Sequence, residues 1–202
     1  VAAREGIRPI VSRQERTGVN IADGFSRITN GNKIGVFSMQ RGPGAENAFG
    51  GVAQAYADSV PILLLPGGQP LNRTGVHPGF DAVEHYKGIT KWAGYVNMVE
   101  RIPEMMGRAF SQLRNGRPGP VLLEIPADVA TAEYPGNGFD YVPIREHKSG
   151  ANPDDVRELV SALLNADFPI INAGQGVLYA EAVDNLLEFA ELTNIPVMTT
   201  LA

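Results

Sequence analysis

The stretch Val60-Pro-Ile-Leu-Leu-Leu65 carries no polar side chain, and it constrains the chain more than any other segment. A strand that is apolar on both faces has no side to offer to water. It therefore belongs in the middle of a parallel sheet covered by helices on both faces. Around it, short apolar runs alternate with longer amphipathic ones, the pattern of βαβ units. The expected architecture is α/β: a doubly wound, mostly parallel sheet with helices on both faces, followed by the start of a second α/β domain.

The local signals mark out the elements. Residues 15–29 read as a helix whose small residues Gly18, Val19, Ala22 and Ser26 share one face. Asn30-Gly31-Asn32 ends it, because these residues tolerate the left-handed conformation of a helix stop. A strand over 33–39 leads through Arg41-Gly-Pro-Gly44 into a helix over 45–58, rich in Ala and Gly. After the 60–65 strand comes a loop over 66–81, dense in Gly, Pro and Asn, and a short helical piece reaching Trp92. A strand over 95–98, a helix over 103–115 opened by proline and a strand over 121–125 complete the block. Residues 127–152 change to Pro, Gly, Asn and charges, which reads as a surface linker. Asn152-Pro-Asp-Asp155 then reads as the cap and acidic first turn of a helix. A strand over 169–173, a turn at Gly174-Gln-Gly176, a helix over 180–192 and a strand over 195–200 follow. The domain expectation is 1–130, a linker over 131–151, and 152–202 as the truncated opening of a second domain. Val1 in place of methionine and the strand-like end suggest an internal piece of a longer polypeptide.

Composition removes whole classes of chemistry. Lys plus Arg is 17 against 22 for Asp plus Glu, a net charge of −5, so no basic footprint for nucleic acid is expected. No run of eighteen apolar residues occurs, so no membrane-spanning helix is expected. There is no cysteine, which excludes disulfides, thiolate metal sites and a cysteine nucleophile. His77, His85 and His147 show no metal-binding spacing, and no Gly-x-Ser-x-Gly elbow exists. No metal ligands are assigned.

Two places could carry chemistry. Glu15 stands where a helix begins at the carboxyl edge of the predicted sheet, the usual location of ligands in such folds. A glutamate in a first helical turn also simply complements the helix dipole. Gly42-Pro-Gly-Ala-Glu-Asn47 is a glycine turn that brings main chain close to a ligand, yet it matches neither the phosphate-loop nor the dinucleotide fingerprint.

Taken in order, several motifs resemble the acetolactate-synthase-like thiamine-diphosphate enzymes. They are Arg13-Gln-Glu15, Asn20-Ile-Ala-Asp-Gly24-Phe-Ser-Arg27, Gly42-Pro-Gly-Ala-Glu-Asn47, Ala57-Asp58, Val60-Pro61-Ile62, Gly68-Gln69, Thr90-Lys-Trp92 and Gly116-Arg-Pro-Gly-Pro-Val121. The resemblance covers nearly the whole chain. It implies that residues 1–130 are a pyrimidine-binding domain, N-terminally truncated, and that the central domain starts after the linker.

The same resemblance implies a cofactor, thiamine diphosphate, used to decarboxylate a 2-keto acid and pass the resulting carbanion to an acceptor. Glu15 would be catalytic, holding the cofactor's pyrimidine nitrogen N1′. Gly42, Pro43, Gly44 and Asn47 would pack beside the ring, and Gln69, Phe80 and Asp81 would line the substrate pocket. Mg²⁺ would be held by a C-terminal domain outside this sequence. FAD occupies the central domain of some relatives. The implied assembly is a cytoplasmic homodimer or homotetramer with its site between subunits. The sequence departs from acetolactate synthases at Phe80, followed by Asp81-Ala-Val in place of Gln-Glu, and the segment up to Thr90 is a few residues shorter. A 2-keto-acid decarboxylase or another lyase of the same superfamily is the alternative, and a non-catalytic pyrimidine-domain homologue is a further one.

Overall fold

The computed structural model describes residues 2–136, 138 and 141–200. The outer ends of the two expected domains, Val1 and Leu201-Ala202, and the linker residues Asn137, Phe139 and Asp140 lie outside the described residues. The chain divides into two compact units, Val1–Glu146 and His147–Ala202.

The first unit runs α1 (Glu15–Ile28), β1 (Gly35–Met39), α2 (Pro43–Ala57), β2 (Ile62–Gly68), α3 (Ala82–Tyr86), β3 (Trp92–Tyr95), α4 (Ile102–Arg114), β4 (Val121–Pro126) and α5 (Ala127–Thr131). Its four strands pair in the order β1-β2-β4-β3, and all three pairings are parallel. The doubly wound arrangement follows from strand alternation. Ile62 and Leu64 of β2 and Leu122 of β4 join one core with Val19 and Ala22 of α1, Ala45, Ala48, Val52 and Ala55 of α2, and Ala82 and Tyr86 of α3. Leu63 and Val121 face the opposite way, onto Ala109 and Leu113 of α4. Leu123 packs beside Met105 of α4 and Val129 of α5. Successive side chains thus serve opposite faces, which is why the 60–65 run had to be apolar throughout.

Several local expectations are met. Gly18, Val19, Ala22 and Ser26 are the buried residues of α1. Its end is made by Asn30 (φ 48°) and Gly31 (φ 74°), with the Gly31 N–H donating to Ser26 O at 2.9 Å. Buried Ser26 holds the entry to β1 in turn, since its hydroxyl donates to Pro61 O at 2.7 Å and accepts from the Gly35 N–H at 2.9 Å.

Other expectations are corrected. The third strand is Trp92–Tyr95, not 95–98, because its register is dictated by β4: Trp92 pairs with Val121 and Tyr95 with Glu124. The helical piece expected to reach Trp92 stops at Tyr86 and continues only as a 3-10 turn over Lys87–Ile89. The start of the expected linker, 127–131, is helical in α5.

The second unit contains α6 (Pro153–Leu164), β5 (Ile171–Ala173), α7 (Gly176–Tyr179), α8 (Val183–Thr193) and β6 (Val197–Thr199). The strands β5 and β6 pair in parallel. Asn152 caps α6 as expected, its side chain accepting from the Asp154 N–H at 3.0 Å. The Gly174-Gln-Gly176 turn proves to be the entry to a short helix, α7. No helix among the described residues is long and apolar enough to cross a membrane.

Candidate functional site

The carboxyl ends of β1 and β2 and the first turns of α1 and α2 converge at one end of the sheet. Glu15 is the first residue of α1 and is half-buried. Gly42 makes the turn after β1 with φ 64°, a left-handed value that a side chain would strain. Pro43 then opens α2 with its ring at the first helical position, where a missing N–H costs nothing. The turn is locked by Ala45 N–H to Gln40 O at 3.1 Å and Glu46 N–H to Gly42 O at 2.9 Å.

Gly44 lets the turn close. A Cβ there would lie 2.9 Å from Gln40 Cβ, too near for the turn as built, while Glu15 Oε1, at 3.4 Å from that position, is in ordinary contact beside it. From the next turn, Asn47 Nδ2 donates a long hydrogen bond of 3.4 Å to Glu15 Oε2. Glu15, Gly44 and Asn47 are therefore brought together, with Gly42 and Pro43 forming the turn that delivers them. Glu15 Oε1 receives no hydrogen bond from the described residues, while Oε2 is held. A carboxylate steadied on one oxygen and open on the other suits a heterocycle that presents a single N–H donor.

Behind this group, Tyr86 of α3 donates to Ala45 O at 2.5 Å and meets Phe49 edge-on with ring centroids 5.2 Å apart. Burial pushes the Tyr86 phenol well above its ordinary range, so it stays a neutral hydrogen-bond donor that pins α3 to the first turn of α2.

The other predicted residues form a second group after β2. Gln69 follows β2 directly and lines a small cleft with Arg73, Val76, His77, Pro78 and Gly79. Phe80 stacks on His85, centroids 4.6 Å apart and planes at 20°. Asp81 is exposed and caps α3, its side chain accepting from the Glu84 N–H at 2.9 Å. Among the described residues no hydrogen bond or ring contact joins Gln69, Phe80 or Asp81 to Glu15. The link between the two groups is the Tyr86 hydroxyl of α3, which donates to Ala45 O in the first turn of α2.

Sequence reasoning passed over Glu124. It sits in β4 among apolar residues, two positions beyond Leu122 and so on the α1–α2–α3 side of the sheet. Its carboxyl lies over Gly68, where a Cβ would come within 2.6 Å of Glu124 Oε1. Burial first, and the neighbouring Asp81 charge second, push the Glu124 carboxyl up to about 7. A lone acid inside the apolar run 121–126 was the available signal. Its perturbation needed β2 and α3 to be folded against it.

The family model described as thiamine pyrophosphate enzyme, N-terminal TPP binding domain, matches residues 1–88, and that of the central domain of the same enzymes matches residues 156–202. Glyoxylate carboligase of Escherichia coli O157:H7 is 38% identical over 200 residues, covering 97% of this chain and 33% of that protein. The acetolactate synthase large subunit of Haemophilus influenzae is 34% identical over 202 residues, covering 97% of the chain and 35% of that protein. The chain thus spans about a third of the length of these curated relatives. The crystal structure of benzoylformate decarboxylase from Polynucleobacter necessarius superposes with a TM-score of 0.82 at 26% identity, over 95% of this chain and 36% of that one. With the N-terminal and the central domain models of the same enzymes matched in chain order, the chain belongs to the thiamine pyrophosphate enzyme family.

Proposed function

We propose that this chain supplies the pyrimidine-binding half of a thiamine-diphosphate-dependent active site that decarboxylates a 2-keto acid and transfers the resulting carbanion, as a carboligase of the acetolactate-synthase type. The observation that carries the proposal is the Glu15 carboxylate, held by Asn47 through one oxygen beside Gly44 and open at the other. When bound, thiamine diphosphate would supply a nucleophilic carbon that adds to the keto group and an electron sink for the pair left behind as carbon dioxide departs.

The protein's part is orientation and one proton contact. Glu15 Oε1 accepts a hydrogen bond from the protonated pyrimidine nitrogen N1′ and so keeps a proton at that atom. Gly42, Pro43 and Gly44 place main chain beside the ring without side-chain bulk, and Asn47 fixes the carboxylate's orientation. Gln69, Phe80 and Asp81 form the side of the pocket that meets the substrate.

In this reading residues 1–130 are the pyrimidine-binding domain, 131–151 a linker and 152–202 the beginning of the central domain. Mg²⁺ and the diphosphate are held by a domain beyond this chain. The working unit is a cytoplasmic homodimer or homotetramer that places the cofactor between subunits. The fold similarity to benzoylformate decarboxylase favours simple decarboxylation as the second reading, in which a proton takes the place of the acceptor.

The test is Glu15→Gln in the complete polypeptide that carries this chain. Turnover of the 2-keto acid is expected to fall by about 10²- to 10⁴-fold, the range for loss of one positioned proton group. Thermal unfolding without cofactor should be unchanged. Wild-type protein should also gain ~2.7 kcal/mol of stability at one hundred times the cofactor's Kd. Near wild-type turnover in the variant overturns the assignment.

A further inference from the structure

After β2 the chain leaves the sheet through Gln69 and Pro70, makes a 3-10 turn over Leu71–Arg73, and returns through Pro78 and Gly79 towards α3. The loop encloses a cleft of about 250 Å³ lined by Gln69, Arg73, Val76, His77, Pro78 and Gly79. That lies below the ~300–1,000 Å³ of sites for drug-sized ligands and equals the space of about eight waters at ~30 Å³ each. It is room for a small organic acid.

The lining is chemically one-sided. It contains one guanidinium, one imidazole, one carboxamide and the apolar Val76 and Pro78, with no carboxylate. Among the described residues Arg73 forms no ion pair, and its guanidinium makes no hydrogen bond to a side chain or carbonyl. Its backbone N–H donates to Pro70 O at 2.8 Å, which fixes the turn and leaves the side chain uncommitted. Gly79 keeps the cleft open: its N–H donates to Val76 O at 3.1 Å, and a Cβ there would lie 3.1 Å from Val76 O and 3.8 Å from Gln69 Nε2. A planar fork with five donors and no protein acceptor is suited to a carboxylate, which it binds through two parallel hydrogen bonds.

We propose that this cleft is the carboxylate-recognition subsite for the small 2-keto acid, with Arg73 as its specificity-determining residue. The keto group points towards Gln69, whose amide donates to the carbonyl oxygen at the end of β2. The short aliphatic part lies against Val76 and Pro78, so a bulky side chain on the acid has no space. That the bound acid then reacts rests on the function proposed above. The recognition of its carboxylate rests on the cleft alone.

The experiment measures calorimetric binding of two probes, pyruvate and glyoxylate, to the complete polypeptide, with methyl pyruvate as the uncharged control. Arg73→Gln is expected to weaken both acids by about 10- to 100-fold, the worth of charge-assisted hydrogen bonds, and to leave methyl pyruvate unchanged. Arg73→Lys should recover part of the loss. Because Arg73 is exposed and makes no ion pair among the described residues, the variants should unfold at the wild-type temperature. In turnover, KM should rise with kcat nearly constant. Equal affinity of wild type and Arg73→Gln for both acids overturns the proposal, as does equal loss of methyl pyruvate binding or failure of either acid to bind the wild type. If Glu15→Gln keeps its activity while Arg73→Gln loses acid binding, the cofactor assignment has failed and the cleft assignment stands.

Discussion

α4 and α6 are amphipathic helices of 13 and 12 residues, yet α4 buries Met105, Ala109 and Leu113 while α6 buries no residue. The contrast extends to the units that hold them. In the first unit a four-stranded sheet offers both faces, and Leu63, Val121 and Leu123 are ready to receive α4. In the second, β5 and β6 form a two-stranded ribbon, and large apolar side chains such as Leu164 (82% exposed) and Phe168 (92% exposed) meet solvent. Hydrophobic periodicity specifies a helix and the face it wants to bury. It does not supply the surface that completes the burial, and two strands alone are at most marginally stable.

The sharpest way to break that comparison is to delete the same side chain in each unit. Leu122→Ala removes a fully buried residue from between the helical layer and the sheet and should cost about 2–5 kcal/mol. Leu164→Ala should stay within about 0.5 kcal/mol. Urea denaturation midpoints report both. Equal costs would mean that the second unit has a core of its own.

A pH profile sharpens the comparison further, because the first unit encloses an acid that the unfolded chain would ionise. The Glu124 carboxyl is raised from its ordinary 4.5 to about 7. Between those values the unfolded chain gives up the proton and the folded protein keeps it. Stability therefore falls as pH rises through this window and is flat on either side of it. Allowing for solvent screening of a half-buried group, the fall is on the order of 1 kcal/mol. Glu124→Gln should abolish it, measured as unfolding free energy at about pH 4 and about pH 8. A variant that shows the same fall as the wild type would place the titrating group elsewhere.

The smallest expected effect tests whether α6 holds itself together locally. Asn152→Ala removes the side chain that accepts from the Asp154 N–H and should cost about 0.5–1 kcal/mol at this exposed helix start. Hydrogen exchange should show it in the first turn of α6 and leave β2 and β4 unchanged. A response spread to the first unit's strands would show that the two units unfold together.

Much of the fold was legible because its signals are short-range. The small-residue face of α1, its Asn30-Gly31 stop and the doubly apolar run that became β2 each depend on residues a few positions apart. The strand β3 was misplaced by three residues because Trp92–Tyr95 has only four residues, and its register is dictated by β4, nearly thirty positions away. The candidate site divides the same way. Glu15 and the Gly42–Asn47 turn stand at element boundaries and could be singled out, whereas Glu124 looked like one polar residue in a strand. Its environment exists only once Gly68 and Asp81 are folded against it.

By itself the sequence determined which segments become helices and strands, which face of each is apolar and where the chain turns. Those are properties of backbone propensity and of side-chain spacing along a single element. The tertiary structure decided what lies across from what: Asn47 against Glu15, Glu124 over Gly68, and Arg73, without an ion pair among the described residues, in a cleft whose lining holds no carboxylate. Burial, charge pairing and the shape of a cavity arise between elements distant in the chain. They come into existence when parallel strands align their carboxyl ends and bring the loops beyond them together.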